Sequence, residues 1–375
     1  MKFVPAAGDI LPIIIVAFAV AAAIAYLLTP VVRRLALRLR MVDRPDERRV
    51  NKRPVPRGGG IAVAIAFLVV AIGILLVNDR LAFVKLPASL DGPQLLALLA
   101  GTAAAAGLGA LDDYFDLRAR YQLVTQLALA LGAVGLGISI DFINNPFGPN
   151  NSNIQFAEPF AAGFTVLWIL GMINSMNFID GLDGLSSGIA LIAALTLGVI
   201  SLTTQIGQPF ISLLCVALAG ALLGFLRWNF QPAAIFTGTS GTMAVGYALA
   251  VLSILGLAKV AVALLVLGVP IIDTFWIIVR RLLNGRSPFS ADRGHIHHRL
   301  LDLGLSHRQT VVLIYGICAG LGILSLALSG AQPFYAFLGV LVATGLVLLV
   351  IAWGGFTETA LEADSYLNGD TPKAD

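Results

Sequence analysis

Charge is what this chain has least of. Asp, Glu, Lys and Arg make up 12% of its 375 residues, against 58% apolar and aromatic types. Soluble domains carry about a quarter charged residues, so a water-soluble globular chain is excluded and no nucleic-acid partner is expected. Cysteine is nearly absent. Cys215 and Cys318 both lie in apolar runs, which excludes a disulfide framework and a thiolate metal cluster. No internal repeat is visible, so an inverted-repeat transporter gains no support from sequence symmetry.

What is present in quantity is apolar sequence of bilayer length, with a mean hydropathy of +0.89. Runs of about 17–25 apolar residues cross a bilayer as helices. Eleven are read here, at roughly 10–29, 58–77, 94–111, 122–140, 161–178, 185–205, 211–227, 241–256, 258–281, 310–329 and 335–354. The expected fold is therefore an all-α polytopic membrane protein, with residues 1–356 as one transmembrane catalytic domain and 357–375 as a disordered tail. The net charge of +3 says little, but its distribution says more. Loops after odd-numbered spans, with the C-terminal tail, hold 20 of the 24 Lys and Arg; the other side holds 4. The positive-inside rule then places the N-terminus outside, and the odd loops and C-terminus in the cytoplasm. A signal peptide is the alternative for the first run, but the basic stretch immediately after it would resist translocation, so a retained helix is expected. The outer loop 141–160 is turn-rich and is expected to form a small hairpin or a surface helix.

Five polar clusters interrupt this pattern, all on the cytoplasmic side of the inferred topology. The first, "VDRPDERRVNKRPVPRGGG" (42–60), serves largely as a basic segment that contacts anionic lipid. Within it Lys52 and Arg57, beside a glycine-opened helix start, are candidates for gripping an anionic substrate. The second, "LDDYFDLRARYQLVTQ" (111–126), reads in part as an Asp116–Arg120 ion pair at i,i+4. The adjacent carboxylates Asp112 and Asp113 repel unless a cation or proton intervenes, which suits Mg²⁺ or proton transfer.

The third cluster, "NSMNFIDGLDGLSSG" (174–188), places Asn174, Asn177, Asp180 and Asp183 three residues apart, on one broad face of a helix. A buried ionisable group costs at least ~2.5 kcal/mol at a bilayer centre, so this group calls for a wet, occupied cavity; a purely structural turn is the alternative. Glycines after both acids let backbone approach a ligand. The fourth, "RWNFQPAAIFTGTSGT" (227–242), offers Asn229, Phe236 and a glycine turn for phosphate or a base. The fifth runs from Asp273 in "PIIDTFWIIVRR" to Asp292, Arg293, His295, His297, His298 and Arg299. His-X-His-His invites zinc, but with arginines nearby and no cysteine an anion-binding loop is favoured.

Taken in order, "DRPDERR…PVPRGGG", "LDDYFDL", "NFIDGLDGLSSG", "NFQPAAIFTGTSG" and "DRGHIHHRL" resemble the polyprenyl-phosphate N-acetylhexosamine-1-phosphate transferase family over about residues 10–330. The His-X-His-His loop is more similar to the N-acetylglucosamine branch than to the peptidoglycan translocase. The resemblance implies a bacterial inner-membrane enzyme with a cytoplasmic site that uses Mg²⁺, with Mn²⁺ as a substitute. Polyprenyl (undecaprenyl) phosphate attacks a UDP-N-acetylhexosamine, UMP leaves, and a lipid-linked sugar for a cell-envelope glycan remains. By the family pattern Asp112 and Asp113 orient or deprotonate the lipid phosphate. Asn177 sits at the metal, with Asp180 and Asp183 in the metal–nucleotide pocket. Asn229 and Phe236 hold uridine, while Arg293, His295, His297 and His298 belong to the sugar-nucleotide site. Membrane lipid is a further partner, and a homodimer is compatible with the family.

Three positions depart from the pattern. Thr239 stands where an acidic metal ligand is usual, Asn51 where His is common, and Arg120 where Lys is frequent. Thr239 offers only a neutral oxygen, so weaker Mg²⁺ binding is expected. The rival readings are a catalytically weakened paralogue that binds lipid phosphate or sugar nucleotide, and an ion-coupled transporter with Asp273 on the ion path.

Overall fold

The computed structural model describes residues 7–43, 53–87, 90–145, 147–148, 152–204, 206–256, 260–283, 285, 295–328 and 332–345. Lys52, Asn51 and Arg293, and the expected tail 357–375, lie outside the described residues. The helices in chain order are α1 (Ala7–Arg38), α2 (Gly60–Leu81), α3 (Gly92–Phe115), α4 (Ala119–Gly135), α5 (Glu158–Ile179) and α6 (Leu185–Ser201). They continue as α7 (Pro209–Asn229), α8 (Gly238–Leu255), α9 (Val260–Val266), α10 (Gly268–Leu283), α11 (Ile296–Asp302), α12 (His307–Ala327) and α13 (Gln332–Gly345).

Seven of these, α1, α2, α3, α5, α7, α8 and α12, are long and apolar enough to cross a bilayer; α6 and α13 are apolar but shorter. Each expected span meets a helix, except that the ninth is broken at Leu267 into α9 and α10. Large apolar side chains such as Ile15, Val16 and Leu27 of α1, Leu76 of α2 and Ile323 of α12 face outward. Together with the polar groups gathered inside, this is the arrangement of a multi-pass membrane protein.

With lipid outside, the helices associate through close packing at small residues. α7 and α8 form the centre and are almost wholly buried. Gly220 and Gly224 bring α7 onto α1, where a Cβ would stand 2.3 Å and 2.1 Å from the Phe18 and Ala22 carbonyl oxygens. Gly60 of α2 and Gly241 of α8 meet still closer, a Cβ at Gly60 falling 1.9 Å from the Gly241 Cα. This contact joins the starts of α2 and α8 at the end of the bundle where the polar clusters gather.

Two short antiparallel ladders complete the described chain. β1 (Val42–Asp43) pairs with β2 (Val55–Pro56) and closes the basic segment back on itself. β3 (Phe142–Asn144) pairs with β4 (Asn153–Gln155), so the 141–160 loop takes the hairpin form of the two alternatives expected.

Candidate active site

At one end of the bundle lies a cavity of about 980 Å³. Asp113, Asn177, Asp180, Asp183, Asn229, Phe236, Thr239 and His298 all line it, joined by Arg53 and Arg57 from the basic segment. Its walls are the end of α3, the α5–α6 turn, the loop from α7 into α8, and the starts of α11 and α12. Acids and bases line it together, a polarity suited to a cation held with an anionic ligand.

The adjacent acids of α3 do not act as a pair. Asp113 turns toward α8, where Oδ1 accepts the Thr239 N–H (2.8 Å) and Oδ2 the Ser240 N–H (3.0 Å). It therefore caps a helix from a different part of the chain, a site that favours negative charge. Gly238, at φ +72°, makes the approach feasible, since a Cβ there would lie 2.6 Å from the Asp113 carboxylate. Asp112 turns the other way; its Oδ1 accepts from Leu117 N (3.1 Å) and Gln122 Nε2 (2.8 Å), closing the α3–α4 turn away from the cavity. Repulsion between the two is relieved by separate N–H partners. Asp116 ends α3 in a left-handed conformation and pairs with Arg57 at 3.3 Å, not with Arg120. An i,i+4 pair needs a continuous helix, and this one stops at Asp116; Arg120 lies over the Tyr121 ring instead. Arg57 also donates from Nε to the Asp113 carbonyl (2.9 Å).

The α5–α6 turn differs from a four-residue helical face. α5 ends at Ile179, so Asp180 and Asp183 project from a turn, and Asn174 is drawn away to Gln126 (2.7 Å) on α4. Asn177 Oδ1 accepts from the Thr242 hydroxyl (3.0 Å). Asp180 accepts from Ser186, and Asp183 Oδ2 from the Ala233 N–H (2.9 Å). Burial pushes the Asp180 carboxyl up to about 7; the Ser186 and Thr237 hydroxyls pull it down, while Asp113 and Asp183 push it further up. The two glycines serve packing. A Cβ at Gly181 would fall 2.2 Å from His297 Nε2, and Gly184, at φ +79°, starts α6 beneath Phe230.

The first amides of α2 are also used internally. Gly59 N–H donates to the Phe236 carbonyl and Gly60 N–H to that of Thr237, each at 2.9 Å, so the glycine-opened helix start holds the α7–α8 loop and not an anion. Asn229 is a strut of the same loop, accepting from Ser187 (2.6 Å) and donating to the Ile235 carbonyl (3.1 Å).

The histidines have three different placements. His295 is bonded through Nδ1 to Asp273 (2.7 Å) in α10. His297 is buried with neither ring nitrogen hydrogen-bonded; burial, with His298, His295 and His307 nearby, holds its pKa well below the ordinary histidine value and keeps it neutral. His298 reaches the cavity. The His295 and His297 rings stack at 5.4 Å and 10°, so they face one another instead of converging on a metal.

Sequence reasoning missed His307, which lines the cavity beside Asp183 with an unpartnered Nε2, and the Gln231–Ala233 stretch. The signal for His307 was available: the chain has 4 histidines, all between 295 and 307.

Comparison with known proteins bears on this geometry. The family model for glycosyl transferase family 4 matches residues 95–257, from α3 to the end of α8. A probable undecaprenyl-phosphate N-acetylglucosaminyl 1-phosphate transferase of Bacillus subtilis (strain 168) is 38% identical over 80% of this chain and 81% of its own length. The decaprenyl-phosphate N-acetylglucosaminephosphotransferase of Mycobacterium tuberculosis (strain ATCC 25618 / H37Rv) is 34% identical over 88% of this chain and 87% of its own. An undecaprenyl-phosphate alpha-N-acetylglucosaminyl 1-phosphate transferase of Escherichia coli (strain K12) is 28% identical over 78% of each. Likeness of this degree and coverage shows that the chain belongs to the polyprenyl-phosphate N-acetylhexosamine-1-phosphate transferase family, as a membrane phosphoglycosyl transferase.

Proposed function

We propose that this chain transfers N-acetylglucosamine 1-phosphate from UDP-N-acetylglucosamine to undecaprenyl phosphate, releasing UMP, as the first step of a cell-envelope glycan. The observation that carries the reading is that Asp180 and Asp183 line one cavity together with Arg53, Arg57, His298 and His307. The named relatives, each a polyprenyl-phosphate N-acetylglucosamine phosphotransferase, support the sugar and the lipid acceptor.

The donor set suits Mg²⁺. This ion takes one or two carboxylates and fills its remaining positions with water and substrate phosphate. Asp180, Asp183 and the Asn177 amide oxygen supply that much. Among the described residues no group of three or more His, Cys, Asp or Glu side chains is placed to hold an ion alone, so substrate oxygens would complete the shell. Bound there, Mg²⁺ would offset the charge of the diphosphate.

The chain's own part is positioning. A phosphate monoester is largely doubly charged at pH 7, its second pKa lying near ~6, so the lipid phosphate needs orientation more than a base. Asp113, with both oxygens engaged by backbone N–H groups, fixes the α8 start that carries Thr239. Arg57 and His298 are suited to the phosphates, and Phe236 to the uracil face. Holding both reactants in line supplies most of the acceleration in such transfers. The 20-to-4 division of Lys and Arg supports a site that opens to the cytoplasm of a bacterial inner membrane, with the N-terminus outside.

Purified protein given Mg²⁺, UDP-N-acetylglucosamine and undecaprenyl phosphate is expected to release UMP. No UMP from any UDP-N-acetylhexosamine, with the fold intact, refutes the reading in favour of a binding paralogue.

A further inference from the structure

Asp273 lies in α10, outside the cavity wall, and is 1% exposed. A carboxylate taken out of water costs several kcal/mol unless it is paired and hydrogen-bonded. Both of its oxygens are engaged. Oδ2 holds His295 Nδ1 at 2.7 Å, and Oδ1 accepts the Ile296 N–H at 2.8 Å. These are consecutive residues, the cap and first position of α11. One carboxylate thus fixes the start of the histidine helix in position and selects the ring tautomer of His295 with a proton on Nδ1.

The contact continues inward. The His295 ring stacks on His297 at 5.4 Å, and His297 lies 4.4 Å from His298, which lines the cavity. His297 in turn sits over Gly181, between the two acids of the α5–α6 turn. A carboxylate on an ion path would keep an oxygen open to water, and Asp273 keeps none.

We propose that Asp273 is a positioning residue for the transferase: through His295 it sets the placement of the histidine helix, and so of His298, against the sugar nucleotide. The proposal rests on the reaction given above. It assigns His295 to a link between α10 and α11 instead of to direct contact with substrate.

The test uses the full-length purified protein. Asp273→Leu removes both acceptors at similar volume, and His295→Phe keeps a stacking ring but not the bond. Each is expected to raise the KM for UDP-N-acetylglucosamine about tenfold or more, leaving that for undecaprenyl phosphate within about twofold. The double variant should match the worse single variant, because one linkage is removed once. Asp273→Asn, which can still accept from Ile296, should fall between wild type and Asp273→Leu. Equal rises in both KM values, additive losses in the double variant, or a wild-type KM in His295→Phe each overturn the proposal. If Asp273→Leu does not fold, His295→Phe and Asp273→Asn carry the same test. An inactive wild type refutes the transferase reading and this proposal together; an active wild type matched by both His295→Phe and Asp273→Asn removes this proposal alone.

Discussion

Gly181→Ala puts the most sharply defined stress on the site. The added methyl would stand 2.2 Å from His297 Nε2, 2.8 Å from Cε1 and 3.2 Å from Cδ2, an edge-on collision with the ring. Carbon contacts settle near ~3.5–4 Å, so ring and turn must part by more than about 1 Å. The ring has little room to yield, being buried and flanked by His295 at 5.4 Å and His298 at 4.4 Å. Overpacking of this kind costs about 1–3 kcal/mol. A displacement of about 1 Å between reacting groups costs on the order of a hundredfold in rate. UMP release should therefore fall by roughly two orders of magnitude, with a smaller drop in Tm by differential scanning fluorimetry. Gly171→Ala, on the preceding α5 and with nothing within 4 Å of the added methyl, is the internal control. It should leave turnover unchanged and stabilise the helix by roughly 0.5–1 kcal/mol. Gly181→Ala with kcat/KM within about threefold of wild type would refute the reasoning, because a tightly packed histidine helix could not absorb the methyl so cheaply.

Two further predictions concern the metal. The Asp180 carboxyl, raised to about 7, is protonated in the metal-free protein below that value, so a cation must displace a proton to bind. A raised carboxyl contributes stability that is full below its unfolded value of 3.8 and is lost as pH rises through about 7, while metal binding strengthens over the same rise. Affinity for Mn²⁺, followed by its electron paramagnetic resonance signal, should fall by up to about tenfold per pH unit from 7 down to 5; a flat profile contradicts a role for Asp180 at the ion. Thr239→Asp adds a carboxylate on the cavity wall close to Asp113, and should tighten Mg²⁺ binding while lowering the Tm of the metal-free protein through like-charge repulsion. An unchanged metal titration would mean that the side chain at 239 does not reach the ion.

The helices were legible because a bilayer imposes one length and one polarity on every crossing segment. Each expected span meets a helix, though the ninth is broken at Leu267 and seven of the described helices are long and apolar enough to cross; the turn between Ile179 and Leu185 falls where Gly181 and Gly184 stand. The cavity was legible because polar residues in such a chain are too costly to keep without purpose, and Asp113, Asn177, Asp180, Asp183 and His298 all line it. Roles read from spacing fared less well. The i,i+4 pairing of Asp116 with Arg120 assumed a helix that in fact ends at Asp116, and the one-face reading of Asn174 to Asp183 assumed a helix that ends at Ile179.

The sequence by itself determined that this is a membrane-embedded bundle, which family it belongs to, and which polar residues to look for at one cavity. Those follow from composition, run length and motif order, all of them local properties. Only the tertiary structure decided how the polar groups divide their work. Asp112 closes a turn while its neighbour Asp113 caps α8, 126 residues further on. His295 answers to Asp273 while His298 faces the cavity. The physical reason is that a carboxylate or imidazole is assigned by the donor it meets, and in a bundle that donor comes from a helix remote in sequence.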